Sequence, residues 1–239
     1  MRRETDLEQP DRSSEPSTRR SNGTARSKAK RNGSGQREDR QTLLLEAARS
    51  EFATRGLAGA RVDTIAERSG ANKQLVYHYF GSKDGLYLAV LENAYQRFAG
   101  HFSGLELHTG SASQRLTKYI ELLFDSLHLD HEFLALVTDQ NLQSGRHIKQ
   151  SRAVRSILSP LTEQLAGILQ QARKEKTLKL DMEATDLYLN IAGICAFYFT
   201  NSSTLSAAFG RQFDAKATIA ERRKHIVEFI LSALFLGNR

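Results

Sequence analysis

Four side chains that can donate hydrogen bonds stand together in one short stretch: Lys73, Gln74, Tyr77 and His78. Their spacing puts them on one side of a helix. A lysine reaches guanine acceptors and a glutamine can pair with adenine through both amide groups, so this face suits base edges in a major groove. No comparable set suits catalysis. The chain has no GxSxG, no P-loop and no GxGxxG in a strand context. His128 and His131 form an HxxH with Asp130 and Glu132 beside them. A zinc site needs a third ligand in register, and this stretch falls at an expected helix junction. Cys195 is the one cysteine, which excludes an intrachain disulfide and a multi-cysteine zinc site. It lies in an apolar helix and reads as buried and inert. No metal, no other cofactor and no enzymatic activity are expected.

The elements around the four donors have the logic of a helix-turn-helix. In VDTIAERSGANKQLVYHYF (residues 62–80), a short helix carries Val62, Ile65 and Ala66 on its apolar side and ends at Gly70. The small Ala66 lets a second helix approach closely. Asn72 can cap that helix through its side-chain oxygen, and Val76 and Phe80 face inward. A recognition helix lays its N-terminal residues in the major groove. Upstream, Leu44, Ala48 and Phe52 recur at four-residue spacing from about Gln41, and Gly56 is a stop. Downstream, Ser82 can cap a long helix with Leu86, Val90, Ala94 and Phe98, and Asp84 in its first turn complements the dipole.

Helical periodicity continues through residues 114–129, 132–142, 154–175, 184–200 and 215–236. Pro160 is tolerable near the start of its helix. Residues 184–200 are apolar nearly all round and are expected to be buried on several sides. With no period-two alternation, no repeat and 3 prolines, the fold is expected to be all-α. The chain has 239 residues, 40% of them apolar, enough for a sizeable core. It has no apolar run long enough to span a bilayer and no apolar stretch after Met1 of the secretory kind. Cytoplasmic location, with no membrane partner, is the expectation.

The net charge is +7. Residues 1–40 hold 11 basic and 7 acidic side chains, so most of the excess sits there. The run from Arg19 to Arg37 carries no acid. With only Met1, Leu7, Ala25 and Ala29 apolar, this segment is expected to be a disordered basic extension, either an arm for nucleic acid or a solvated appendage. Residues 41–95 then form a helix-turn-helix domain, and residues 96–239 a larger helical domain.

Residues 41–95 resemble the N-terminal domain of the TetR family of bacterial transcriptional regulators. The resemblance is carried by Leu44-Leu45-Glu46-Ala47-Ala48, Phe52, Arg55-Gly56, Val62, Ile65-Ala66, Gly70, Lys73, Tyr77-His78-Tyr79-Phe80, Ser82-Lys83, Leu86 and Val90. The family implies an Ω-shaped α-helical homodimer, DNA read through the third helix and a small molecule bound in the C-terminal domain. Arg61 and Leu75 stand where the family often has threonine. Arg61 can still meet phosphate, and Leu75 can offer only a methyl contact to thymine. His131-Glu132-Phe133-Leu134, Asn141-Leu142, Ile191-Ala192-Gly193, Phe197-Tyr198-Phe199-Thr200-Asn201 and Ala207-Ala208-Phe209-Gly210 look like the subgroup that includes repressors of nicotinate and other small-compound breakdown.

The expectation is therefore a ligand-responsive DNA-binding regulator, a repressor released from its operator. A small-molecule-binding helical protein without specific DNA binding, or an activator or dual regulator, is the alternative. Residues expected on DNA are Arg61, Asn72, Lys73, Gln74, Leu75, Tyr77, His78, Tyr79 and Lys83. Phe124, Phe133, Val137, Leu165 and Phe197 are expected to wall a ligand pocket, with Asn141, Tyr198 and Asn201 as polar groups. His128 or Arg146 would meet a carboxylate, since the subgroup implies an aromatic or heteroaromatic acid. Two copies are expected to pair through Leu187, Ile191, Ile226, Phe229, Ile230 and Ala233.

Overall fold

The computed structural model describes residues 23–104 and 109–236, with side chains from residue 39 onward. By contacts the chain forms two units, Met1–Asp39 and Arg40–Arg239. Residues 1–22 of the expected basic extension lie outside the described residues. From residue 23 the backbone is helical, which differs from the disorder expected up to residue 40. Extending a helix costs far less than nucleating one, and the amphipathic turns beyond Gln41 supply the nucleus.

The described chain is all-helical, with an isolated antiparallel bridge between Leu178 and Phe235. Helices α1 (Gly23–Gly59), α2 (Val62–Arg68) and α3 (Lys73–Phe80) form a head. Helix α4 (Lys83–Ser103) runs from the head into a body of α5 (Ala112–Leu129), α6 (His131–Leu142), α7 (Val154–Glu175), α8 (Ala184–Phe209) and α9 (Lys216–Leu234). The starts are set by side chains that take up free amides. Asn72 accepts from Leu75 N at 2.8 Å, Ser82 from Gly85 N at 3.0 Å and Asp130 from Phe133 N at 2.9 Å. Ser111 and Gln114 form a capping box at α5.

Leu44, Ala48 and Phe52 of α1 are fully buried, with Ile65, Val76 and Leu86 packed in the same core. The α2–α3 turn closes on Ala71 N donating to Ala66 O at 2.9 Å, with Gly70 at φ +67. The apolar face of each head helix is thus consumed within the head and against the start of α4, which leaves the opposite face of α3 outward.

Helix α8 corrects an expectation. It runs nine residues past Thr200, and it buries only one stripe: Leu187, Ile191, Cys195 and Tyr198. Leu189, Gly193 and Phe197 form an exposed stripe at four-residue spacing. An apolar surround does not require burial within one subunit when a face is left open. Cys195 is buried as expected, and burial pushes its thiol up to about 12, so it carries no thiolate at neutral pH.

Candidate nucleic-acid interface

The α3 surface gathers the four donors on one open face. Lys73, Gln74, Tyr77 and His78 are exposed, with Tyr77 at 42%. Lys73 Nζ lies 2.9 Å from a carboxylate oxygen of Asp63 on α2. That hydrogen bond and charge hold the ammonium above its ordinary range, so Lys73 stands as a cation at the N-terminus of the outward helix. Asn72 is exposed, but its oxygen is spent on the cap. Arg61 is exposed at the start of α2, and its backbone amide donates to the buried Glu51 at 3.3 Å.

Three expected contacts are turned partly away. Leu75 and Tyr79, four residues apart on one flank of α3, are half-buried against the core. Part of the Leu75 side chain is thus taken up by packing. Lys83 is half-buried, with Nζ 3.4 Å from Ala58 O.

The residues expected around a ligand do not converge. Phe124, His128 and Tyr198 meet around Phe199, with ring centroids 4.8, 5.5 and 5.3 Å from it. Phe133 instead stacks on Phe98 of α4 at 4.5 Å, and Leu165 is a fully buried core residue. Val137 is half-buried, while Asn141 and Phe197 are exposed. The Tyr198 hydroxyl is committed to Phe213 O at 2.5 Å, and Asn201 Nδ2 to Phe197 O in its own helix at 2.9 Å. Arg146 cannot serve an interior carboxylate: it is exposed and bonds Asp84 at 2.9 Å. Periodicity tells which positions are apolar, not which helix each faces.

The expected pairing residues are corrected in the same way. Leu187, Ile191, Ile226 and Ile230 are buried inside the subunit, and only Phe229 and Ala233 remain exposed. The apolar stripe on α9 meets α5, and to a lesser extent α8, of its own chain before it can meet another.

Sequence reasoning missed the residues that tie head to body. Helix α6 is held by the head at both ends. At its start, the buried Arg49 of α1 pairs with Asp130 and, at 3.0 Å, with Glu132. Near its end, Asp139 Oδ2 accepts from Leu57 N at 3.1 Å and from the Tyr87 hydroxyl at 2.6 Å. Burial, then the bond to Asp139, push the Tyr87 phenol well above its ordinary range. Beyond α6, the buried His147 Nε2 lies 2.7 Å from Asp84 in the first turn of α4. Arg49 follows Leu45 by four residues and adjoins Ala48, and this place on the apolar flank of α1 was the available signal. Gln140 was also missed: it is fully buried on the face of Phe133 and Leu136, and neither amide atom has a hydrogen-bond partner among the described residues.

A small head that fixes an outward helix carrying four donors, joined by one long helix to an α-helical body, defines a helix-turn-helix DNA-binding regulator. Residues 44–90 match the family described as bacterial regulatory proteins, tetR family, and residues 113–230 match the tetracyclin repressor-like C-terminal domain. The chain belongs to the TetR family of transcriptional regulators, which is not an enzyme family. The transcriptional repressor NicS of Pseudomonas putida is 28% identical over 191 residues, covering 80% of this chain and 90% of that protein. The crystal structure of the transcriptional regulator SCO4942 from Streptomyces coelicolor superposes with TM-score 0.59 at 27% identity, covering 81% of this chain and 97% of the other. FadR of Bacillus subtilis, solved in complex with stearoyl-CoA, shares the fold with TM-score 0.58 at 17% identity, covering 80% and 98%. No helix among the described residues is long and apolar enough to cross a membrane.

Proposed function

We propose that the protein is a cytoplasmic, homodimeric repressor that leaves its operator when a small molecule binds. The single observation that carries the DNA half is the open α3 face, with Lys73 paired with Asp63 and Gln74, Tyr77 and His78 beside it. Lys73 anchors the helix on phosphate or guanine, Gln74 reads a base edge, and Tyr77 and His78 complete the contact. Arg61 adds a phosphate contact. The exposed stripe of Leu189, Gly193 and Phe197 with Phe229 and Ala233 supports pairing of two copies through α8 and α9. Gly193 has nothing within 4 Å of where a Cβ would stand, which lets a second helix come close. The repressor reading has support from the name of the similar protein NicS. Effector release has support from the ties between α6 and the head, through which a bound molecule would change DNA affinity by no more than its differential affinity for the two states.

The test is selection of genomic fragments on the full-length protein, followed by gel shift. Specific retention of a fragment, weakened by Tyr77→Ala, is expected. Retention of all fragments alike, or none, overturns the DNA reading. Derepression of the adjoining genes on deletion is expected, and their silencing would make the protein an activator.

A further inference from the structure

A cleft of about 490 Å³ lies between the end of α1, the outer face of α6 and α8. This volume is in the range of small-molecule sites, about 300–1,000 Å³. It follows α6 from His131 to Leu142, a length of roughly 16 Å at the rise of a helix. Phe52, Leu134 and Phe199 supply apolar walls, and Gly56 and Asp139 lie together at its head end. None of the ten residues expected to bind a ligand lines it.

The chemistry of the polar end is asymmetric. Asp139 Oδ2 takes three hydrogen bonds, from Leu57 N, the Tyr87 hydroxyl and Gln143 Nε2 at 2.9 Å. Oδ1 takes none among the described residues and rests against Gly56. A carboxylate oxygen accepts only, so it calls for a donor, and a cationic donor makes the strong kind of hydrogen bond. Arg55, which also lines the cleft, pairs with Glu51 at 3.3 Å.

We propose that this cleft is a binding site for a small amphipathic amine. A ring or short alkyl chain lies against Phe52, Leu134 and Phe199, and the ammonium bonds Asp139 Oδ1. Because the same carboxylate holds Leu57 and Tyr87, occupancy bears on the seat of the head. That regulatory meaning deepens the reading above and rests on it; binding itself does not.

The test is titration calorimetry on the full-length protein with phenylbutylamine and phenylbutyrate, which share one apolar body. The amine is expected to bind once per chain, and the acid about tenfold or more weaker, the loss of one charge-assisted bond. Asp139→Asn should bring the amine to the level of the acid. Ala135→Phe, which fills the cleft and leaves the bonds of Asp139 alone, should abolish binding and keeps the test open if the Asn variant does not fold. Equal or tighter binding of the acid, no binding of the amine, or amine binding that survives Ala135→Phe overturns the proposal. Amine binding by a protein that retains no genomic fragment supports the site and sinks the DNA reading. A retained fragment without amine binding does the reverse.

Discussion

The carboxylate of Asp139 occupies the space in which a side chain at residue 56 would begin: a Cβ on Gly56 would stand 2.6 Å from Asp139 Oδ1. Residue 56 is also held at φ +63 and ψ 173, inside α1 and against its helical run. The interruption turns Leu57 N toward Asp139 Oδ2. A stop signal read in the sequence thus becomes, in three dimensions, the socket by which body grips head.

Gly56→Ala meets both obstacles. It should cost about 1–3 kcal/mol, the range for a side chain forced into left-handed or sparsely populated backbone. Urea unfolding measures it. Asp139→Ala removes the clash but also the acceptor for Leu57 and Tyr87. The double variant should lose less than the two single losses added, because the residues are in contact. Strict additivity would mean that the two residues do not meet.

Lys73→Ala and Gln74→Ala should fail in different ways. Loss of the cation should weaken all DNA sequences alike and reduce the slope of log affinity against log salt by about one. Loss of Gln74 should cost about 1–3 kcal/mol at one base position and relax preference there. Binding to a panel of operator variants at several salt concentrations separates them; identical profiles would refute the division of roles.

Removal of residues 1–36 tests the basic run from Arg19 to Arg37. Affinity should fall and its salt dependence flatten, since fewer counterions are released, while sequence preference is kept. An unchanged salt slope would make the segment a bystander.

Phe229 is 64% exposed, so Phe229→Glu should leave the subunit folded and give monomers by light scattering. Ile230, one residue on, is buried, and Ile230→Glu should instead unfold the chain by stranding a charge in the core. A monomeric parent protein would end the pairing reading.

Asp84 reports on the third head–body tie, that of His147. The hydrogen bond from His147, and then that from Arg146, hold its carboxyl below the ordinary range. A carboxyl depressed on folding stabilises above its unfolded pKa of about 3.9, and the contribution fades as pH falls through the folded value. Asp84→Asn should therefore lower the melting temperature at neutral pH by a few degrees at most, since Asp84 is half exposed. The difference from the parent should shrink toward acid pH. A gap that widens in acid would contradict the assignment.

The sequence by itself determined most of the helices and the outward-facing residues of α3. Periodicity at Leu44, Ala48 and Phe52, the capping oxygens of Asn72 and Ser82, and Gly70 are local signals, and the elements formed where they stand. Lys73, Gln74, Tyr77 and His78 were legible because a short helix whose inner face is Val76 and Phe80 can present only its other side. What the tertiary structure decided is which apolar stripe meets which. Leu187 and Ile226 read as an interface and turned inward, while Phe197 read as a pocket wall and turned out. Apolar spacing is identical for a core, a pocket and a dimer face; only the packing of the other helices tells them apart. The ties of Arg49, Asp139 and His147 join residues 81, 82 and 63 positions apart. No local pattern announces such a partner, because the bond exists only once two helices distant in sequence have been brought side by side.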